Sequence, residues 1–349
     1  MKKLLFLGSD HISEVVLKKL ISSFPKYELS ILTSSQEHKP AVLGKKLGLN
    51  VMLGSKGPIK EWNLLQPGSE LLSTNYDYLV VASFGHLIPK SLLEVCDSKL
   101  NMHPSLLPRH RGASPIPYTI YNRDSTTGVS IIDIHEKVFD KGRILKQVQL
   151  ERTDLLNETF ETLSYKLAHL GAETLVEVID NYKLYCENSK EQEESLATKA
   201  PKITTQFTKL DFRSSEETLA KFRALKGTSY NPHFNFRHKK ILPKQMRRPS
   251  QEELEVLNQK YPSAVEGSIW VIYPSLTKKK KTSKFLGKVD NFFFVKTGDS
   301  WVCVESIQLD SKPHSGTEIK EFLGSHMNQG IYYEKSILKR TTGEDFKFH

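Results

Sequence analysis

Two polar residues, Asn101 and His103, close an apolar run and are the first candidates for chemistry. They are two positions apart, so on a β-strand their side chains share one face while Met102 points to the other. Pro104 and Pro108 then stop the strand and begin a rigid loop. An amide donor beside an imidazole on a stiff strand end can stabilise an oxyanion and transfer a proton. The pattern favours acyl transfer, without an obvious nucleophile in the protein.

A carboxylate at the tip of a predicted turn is the third candidate. Asp140 is followed closely by Gly142, between predicted strands over 128–134 and 144–151. A carboxylate there can orient His103 and hold a water or an amine during proton transfer. The residues alone leave two simpler interpretations open. Asp140 can merely cap the turn, and His103 can be a structural histidine.

Strands and helical patterns alternate through the first half of the chain. This alternation predicts a Rossmann-like α/β fold with a parallel sheet and helices on both faces. The predicted strands cover 2–8, 28–33, 50–52, 77–83, 99–103, 128–134 and 144–151, and the later helices cover 113–123 and 156–183. Apolar, uninterrupted strands fit burial on both faces. The turn Gly8-Ser9-Asp10 is not a GxGxxG fingerprint, so it supports a dinucleotide site only weakly.

The second half has a different organisation. Residues 187–198 are polar and charged without an apolar period, which predicts a linker over 184–204 between a catalytic domain (1–183) and a second domain (205–349). The second domain is predicted to contain one helix and several short strands, which suggests a small OB-like β-barrel. The helix covers 215–226, and the strands cover 236–242, 268–273, 285–289, 292–296 and 301–308.

The formal net charge of +10 is confined to this second half. Residues 202–349 contain 26 Lys+Arg and 16 Asp+Glu, whereas residues 1–201 contain 24 of each. Such asymmetry favours a nucleic-acid backbone as partner, although a solubility charge or a basic organellar proteome would also produce it. A solvated loop is the alternative for the lysine run. The candidate lysines are Lys239, Lys240, Lys278, Lys279, Lys280 and Lys281.

Cysteine usage and hydropathy suggest a reduced compartment. The three cysteines are far apart and lack CxxC spacing, so they are expected to be reduced, and no metal site is expected. No segment has the 18 or more apolar residues of a membrane span, so no membrane association is expected. No targeting segment is visible, because Leu4 already begins a core strand.

Four motifs resemble those of the formyltransferase family. The most specific is the run Asn101-x-His103-x-Ser105-Leu106-Leu107-Pro108-x-x-x-Gly112-x-x-Pro115. The others are Thr127-Gly128-Val129 followed by Asp140-x-Gly142, the segment 77–89, and the segment 197–203. Together they extend over nearly the whole chain in the family's order. Within the family the chain resembles the methionyl-tRNA formyltransferases. Its Gly8-Ser9-Asp10 start and its approach to Asp140 are more similar to fungal mitochondrial members than to bacterial ones.

The resemblance implies a reaction for translation initiation. The formyl donor would be 10-formyltetrahydrofolate, and the acceptor would be the α-amino group of methionyl-tRNA. Asn101 would donate its amide N–H to the oxyanion, and His103 would assist it and protonate the departing folate nitrogen. Asp140 would set the His103 geometry and help to remove the amine proton through water. No metal is needed, since the amine is already a nucleophile.

The resemblance also assigns binding residues. The pterin slot would be lined by Phe84, Gly85, His86, Leu87, Ile88 and Pro89, and its mouth by Ser105, Leu106, Leu107 and Pro108. Phosphate would be steered by Arg109 and Arg111, and the basic domain would bind tRNA. Residues 84–89 can also be read as the end of a core strand, and exposed arginines are common without a function. The loop after residue 33 is shorter and less basic than the bacterial insertion that enters the acceptor stem. It leaves the mode of acceptor recognition open.

Three other functions compete with this one. A sugar N-formyltransferase or a formyltetrahydrofolate hydrolase would share Asn101, His103 and Asp140, but would not need the basic domain. A nucleic-acid-binding protein with an inactive formyltransferase-like domain would not need the three polar residues. A dehydrogenase is disfavoured by the missing glycine-rich fingerprint. We expect a monomer in the mitochondrial matrix, with the cytoplasm as the alternative compartment.

Overall fold

The computed structural model describes residues 1–55, 59–150, 155–236, 239–264, 268–271, 293–309, 312–313 and 331–332. The chain divides into two compact units, Met1–Lys202 and Ile203–His349. Among the described residues, no helix combines the length and the apolar character that crossing a bilayer requires.

Unit 1 is built on one seven-stranded sheet of order β3-β2-β1-β4-β5-β6-β7. Its strands are β1 (Lys3–Gly8), β2 (Glu28–Thr33), β3 (Asn50–Leu53), β4 (Tyr76–Ala82), β5 (Cys96–His103), β6 (Gly128–Asp133) and β7 (Ile144–Gln149). The first five run parallel, as the strand–helix alternation predicts. The prediction of a parallel sheet is wrong for the last two, because β6 pairs antiparallel with β5, and β7 with β6. The fold is therefore a mixed α/β fold dominated by parallel strands.

The helices of unit 1 cover the sheet on both sides. They are α1 (His11–Ser23), α2 (Lys39–Lys46), α3 (Glu70–Ser73), α4 (Lys90–Glu94), α5 (Pro115–Tyr121), α6 (Phe160–Asp180) and α7 (Tyr182–Glu187). Successive residues of a strand face opposite sides, and all four residues of 4–7 are 0% exposed, so both faces of β1 are packed. Gly171 of α6 lies against Met102, since a Cβ there would be 2.6 Å from the Met102 sulfur. Helix α6 therefore covers the face opposite to Asn101 and His103.

Residues 190–200, which fall within the linker predicted over 184–204, are hydrogen-bonded to the rest of unit 1. Lys190 exchanges two backbone hydrogen bonds with Ile144, at 2.8 and 2.9 Å. Further along, the Ala200 N–H donates to the carbonyl of Arg111 at 2.7 Å, and the Arg111 N–H donates to the carbonyl of Thr198 at 2.9 Å. Backbone pairing needs no apolar periodicity, which explains why the polar composition of this segment concealed it.

The described residues of unit 2 form two helices and one antiparallel sheet of order β14-β10-β11-β12-β9-β8, with β13 beside β12. Its elements are α8 (Ser215–Leu225), β8 (Phe234–Phe236), β9 (Lys239–Arg247), α9 (Gln251–Lys260), β10 (Ser268–Val271), β11 (Phe293–Lys296), β12 (Trp301–Leu309), β13 (Lys312–Pro313) and β14 (Ile331–Tyr332). Helix α9 is absent from the sequence prediction. It begins at a capping box of Ser250 and Glu253 and packs Leu257 into the core with Phe294 and Trp301.

A closed barrel would join the two ends of this sheet. Among the described residues, β14 and β8 do not pair, so closure into an OB-like barrel stays a prediction. The strand predicted over 285–289 lies outside the described residues.

Candidate active site

Asn101 and His103 lie at the carboxyl end of β5, where the strand pairs with β4 on one side and with β6 on the other. Ligands of open parallel sheets bind at the carboxyl ends of the strands. The two side chains share one face of the strand, as their spacing predicts. His103 is buried at 4% exposure, and Asn101 is half-buried. The site is therefore mostly enclosed at His103 and opens toward Asn101.

The carboxylate of Asp140 joins these two side chains although it is 37 to 39 positions away in sequence. Its Oδ1 accepts a hydrogen bond from Asn101 Nδ2 at 3.1 Å and lies 3.4 Å from His103 Nδ1. Its Oδ2 accepts from the backbone N–H of Gly112 at 2.8 Å. Side chains of Asp140 and His103 are only 9% and 5% exposed, so the pair is largely removed from water.

The pair perturbs both pKa values in the direction of an ion pair. Burial by itself would lower the pKa of His103, but the Asp140 carboxylate and the backbone carbonyl of His110 outweigh it, and the pKa is raised. Burial by itself would raise the pKa of Asp140, but His103, the Gly112 N–H and the Asn101 amide outweigh it, and the pKa is lowered. The arrangement thus favours an imidazolium beside a carboxylate.

The ring of His103 is held at both nitrogens. While Nδ1 faces Asp140, Nε2 lies 2.9 Å from the carbonyl oxygen of His110. The His110 ring itself turns away and pairs with Asp124 at 2.5 Å. One carboxylate and one backbone carbonyl therefore fix the orientation of the His103 imidazole.

The turn that carries Asp140 has an unusual backbone. Asp140 has a φ of 55°, in the left-handed region that non-glycine residues rarely occupy. Two positions on, a Cβ at Gly142 would overlap the carbonyl oxygen of Asp133. The spacing Asp140-x-Gly142 is thus explained by a close backbone approach, and it aims the carboxylate toward β5.

The loop 104–112 is held by hydrogen bonds from side chains of β6 and β7. Ser130 pairs in register with His103, and its hydroxyl donates to the Ser105 carbonyl at 2.6 Å and accepts from the Leu107 N–H at 3.0 Å. Gln147 of β7 donates to the Leu107 carbonyl at 2.6 Å. Ser105 and Leu107 are buried, and Leu106 is half-buried. Leu106 is therefore more accessible than Ser105 and Leu107, its neighbours in the predicted mouth.

The predicted pterin residues follow β4, the neighbour of β5. Ala82 is in register with Met102, so the loop 84–89 begins beside Asn101 and His103. Phe84 and Ile88 are buried, His86 and Pro89 are half-buried, and Gly85 and Leu87 are exposed. Trp62 contacts this loop edge-on, with ring centroids 6.1 Å from Phe84 and 5.4 Å from His86. Burial, followed by the charge of His38, lowers the pKa of His86 and favours the neutral ring.

The arginines predicted to steer phosphate are engaged within unit 1. Arg109 Nη2 lies 2.8 Å from Asp124 Oδ1, and Arg111 donates to Gln192 and to Glu194. In unit 2, Lys240 is exposed on β9 and Lys239 begins the same strand. The run 278–281 lies outside the described residues.

Sequence reasoning missed three groups that complete the site: the Gly112 N–H, the His110 carbonyl and the side chain of Gln192. Backbone groups carry no signature in a sequence. Gln192 lies in a stretch without apolar period, so only its contacts reveal it. Its amide nitrogen donates to the carbonyls of Asp140 and Gly142, each at 2.8 Å.

Comparison with known proteins shows what the chain is similar to. The profile of the Formyl transferase family matches residues 64–179, which include β5 and the Asp140 turn. The chain is 33% identical over 236 residues to the methionyl-tRNA formyltransferase of Finegoldia magna, covering 64% of this chain and 73% of that protein. It is also 33% identical over 222 residues to the mitochondrial methionyl-tRNA formyltransferase of Rattus norvegicus, covering 62% of this chain and 56% of that protein.

Solved structures share the fold at low sequence identity. An N-formyltransferase from Helicobacter canadensis, in complex with folinic acid and dTDP-3-aminofucose, has a TM-score of 0.57 at 14% identity, over 88% of this chain and 100% of that chain. HypX from Aquifex aeolicus, in complex with tetrahydrofolic acid, also has a TM-score of 0.57 at 14% identity, over 93% of this chain and 47% of that chain.

The family profile and the relatives of one-third identity together define an enzyme of the formyltransferase class. Within that class, one-third identity over 73% of the Finegoldia magna protein is decisive. The chain belongs to the methionyl-tRNA formyltransferase family.

Proposed function

We propose that the protein transfers the formyl group of 10-formyltetrahydrofolate to the α-amino group of initiator methionyl-tRNA, for translation initiation. The observation that carries the proposal is the convergence of Asn101, His103 and Asp140 at one end of the sheet. Family membership supports the substrate, because the relatives from bacteria and mammalian mitochondria are named for it.

Asn101 is assigned to the oxyanion that develops when the amine attacks the formyl carbon. A side-chain amide has two N–H hydrogens, and the Asp140 carboxylate accepts one of them. The second is left to stabilise negative charge at the formyl oxygen. In related sites one such donor contributes about 2.7–4 kcal/mol to transition-state stabilisation.

His103 is assigned as a general acid and as a positive charge beside the oxyanion, and not as a base. Its raised pKa favours the imidazolium, whose charge stabilises the oxyanion. Because both ring nitrogens face acceptors, Asp140 and the His110 carbonyl, protonation of the departing folate nitrogen requires the ring to exchange one of these partners for it. The lowered pKa of Asp140 keeps its carboxylate ionised. Because a lowered pKa also makes Asp140 a weak base, it is assigned to align the amine through water and to take up the amine proton only after attack on the formyl carbon has made that proton acidic.

The loop beside β4 is assigned to the folate. Its aromatic cluster of Trp62, Phe84 and His86 packs the loop in place, and the half-buried His86 and the exposed Leu87 are the side chains that remain accessible to a pterin ring. Gly85 is exposed with a φ of 78°, so its backbone is bare for hydrogen bonding to the ring edge. Residues 105–108 would form the mouth. Both solved structures above are complexes with folates, which supports a folate in this fold.

The tRNA backbone is assigned to the positive charge of unit 2. Lys240 is exposed there, and Lys239 with the run 278–281 completes the set of proposed phosphate contacts. Phosphate contacts supply affinity without base specificity. Arg109 and Arg111 would first have to exchange their carboxylate partners for a phosphate. An OB-like barrel in unit 2 would be a usual scaffold for RNA.

Compartment and assembly are proposed from the relatives and the composition. Mitochondrial relatives among the matches support the mitochondrial matrix, with the cytoplasm as the alternative. We propose that the enzyme acts as a monomer without a metal.

A formylation assay separates this function from its alternatives. The purified protein is incubated with 10-formyltetrahydrofolate and methionyl-tRNA, and N-formylmethionine and formate are both measured. Formylmethionine that is lost in His103→Ala supports the proposal. Release of formate alone, or transfer only to a nucleotide-linked amino sugar, would contradict it and favour a hydrolase or a sugar N-formyltransferase.

A further inference from the structure

The side chain of Gln192 lies between the catalytic turn and the loop after β5. It is buried at 8% exposure. Its Nε2 donates to the carbonyls of Asp140 and Gly142, each at 2.8 Å. Its Oε1 accepts from Arg111 Nε at 2.9 Å and from Arg111 Nη2 at 2.7 Å. Both amide hydrogens and both lone pairs of the oxygen are therefore used.

These contacts join the two segments that hold the Asp140 carboxylate. On one side, the amide bridges the carbonyls of the turn in which Asp140 adopts a φ of 55°. On the other side, Arg111 precedes Gly112, whose N–H donates to Asp140 Oδ2 at 2.8 Å. A residue in the left-handed region persists only where its surroundings hold it, and Gln192 provides two of those contacts.

We propose that Gln192 is a positioning residue for the reaction, which holds Asp140 within reach of Asn101 and His103. This role rests on the proposed formyl transfer, in which Asp140 accepts the amine proton. Gln192 itself touches backbone carbonyls and Arg111 and not the reacting atoms. A small displacement of Asp140 would separate its carboxylate from three donors at once.

A purely structural role for Gln192 is the competing explanation, since the same contacts attach the segment 190–200 to the rest of unit 1. Replacement by glutamate distinguishes the two. In Gln192→Glu the carboxylate still accepts from Arg111, so the segment stays attached, but it cannot donate to the carbonyls of Asp140 and Gly142. This substitution removes the contacts with the turn and keeps those with Arg111, with little change in volume. Gln192→Ala removes both sets of contacts.

The experiment compares Gln192→Glu and Gln192→Ala with two controls on the same segment, Glu191→Gln, which is exposed, and Glu194→Ala. Glu194 is exposed and pairs with Arg111 and with the side chain of Lys141, but it makes no hydrogen bond to the carbonyls of Asp140 and Gly142. Thermal unfolding is recorded first. The kcat and KM for both substrates follow, at temperatures where each variant is folded. The titration of His103 is followed by NMR without substrate, with its signal assigned from His103→Gln.

We expect kcat to fall roughly 10²-fold in Gln192→Glu, as misplacement of a catalytic group by about 1 Å can cause, while KM for the folate stays within about threefold. The midpoint of the His103 titration should fall in both Gln192 variants, because Asp140 moves away, and stay unchanged in both controls. A folded Gln192→Glu protein with wild-type kcat and an unmoved His103 titration would overturn the proposal. If the wild type does not formylate methionyl-tRNA, the proposed function fails, and the His103 titration still decides whether Gln192 positions Asp140.

Discussion

Oδ1 of Asp140 lies 3.4 Å from Nδ1 of His103, and both side chains are more than nine-tenths buried. The carboxylate also accepts from Asn101 and from the Gly112 N–H, while Nε2 of His103 faces the His110 carbonyl. Each charge thus has partners that offset its loss of water. The consequence is an imidazolium–carboxylate pair beside a half-buried amide, in a place where an oxyanion and a proton can both be handled.

The Asn101 amide should be needed for turnover and not for folding. In Asn101→Ala we expect kcat to fall roughly 10²–10³-fold, because the oxyanion loses its donor. The protein should remain folded, since Asn101 is half-buried and Asp140 keeps two other partners. Single-turnover formylation and thermal unfolding measure the two effects. Asn188→Ala, at the exposed end of α7, is the control. Loss of folding without a specific loss of rate would contradict the oxyanion role.

The charge of Asp140 should matter more than its shape. Asp140→Asn keeps the volume of the side chain but removes the charge that raises the pKa of His103. We expect turnover to fall about 10²–10⁴-fold as proton transfer is lost. The alkaline limb of the pH–rate profile should move to lower pH. Rate profiles of Asp140→Asn and of the exposed control Asp180→Asn test this. A profile identical to that of the wild type would show that Asp140 does not act on His103.

The His103–Asp140 pair should make stability depend on pH in a defined window. A raised pKa of His103 contributes stability that is complete below its usual value of 6.5 and is lost as pH rises through the folded value. A lowered pKa of Asp140 contributes stability above its usual value of 3.8, which is lost as pH falls through the folded value. The free energy of unfolding lost in His103→Gln should therefore be largest between these values and smaller in alkali.

Urea unfolding at about pH 5, 7 and 9 measures this dependence. His233→Gln is a control of opposite sign, because burial, and then the charge of Lys240, lowers the pKa of His233. Its loss of stability should shrink as pH falls and not as pH rises. Parallel curves for the two variants would be inconsistent with an ion pair at His103.

Gly112 should tolerate no side chain. It has a φ of 122°, and a Cβ would lie 2.6 Å from the carbonyl oxygen of Ala200. Gly48 has a φ of 69° with no atom within 4 Å of the corresponding Cβ, so Gly48→Ala tests backbone strain alone. We expect about 1–2 kcal/mol of destabilisation in Gly48→Ala. Gly112→Ala should lose more, together with turnover, because its N–H holds Asp140. Denaturant unfolding and kcat are measured for both variants. Equal losses of stability would show that the Ala200 contact relaxes without cost.

Lys240 should contribute to affinity for tRNA through a phosphate. Each phosphate contact adds about 0.7–0.9 to the slope of log K against log salt. In Lys240→Ala the slope should decrease by about one such contact, while kcat at saturating tRNA stays unchanged. Binding isotherms over a series of salt concentrations measure the slope, and Lys26→Ala, at an exposed position of unit 1, is the control. An unchanged slope would remove Lys240 from the tRNA surface.

The apolar patterns of the sequence predicted those features of the fold that depend on a single helix or strand. Alternating strands and helices identify an α/β fold, because each element shows its own apolar period. The direction of β6 was not predictable, since strand periodicity is the same in parallel and antiparallel pairs. Helix α9 was missed although Ser250 and Glu253 form a capping box that the sequence displays.

The residue types of the site were determined by the sequence itself. The two-residue spacing of Asn101 and His103 on a strand places them on one face whatever the rest of the fold does. Asp140 beside Gly142 marks a turn that can carry a carboxylate. Only the tertiary structure decided that this turn meets β5, that the His110 carbonyl and the Gly112 N–H complete the pair, and that Gln192 holds the turn in place. Those contacts join segments far apart in the chain through backbone groups, which are the same in every residue and therefore leave no trace in the order of the side chains.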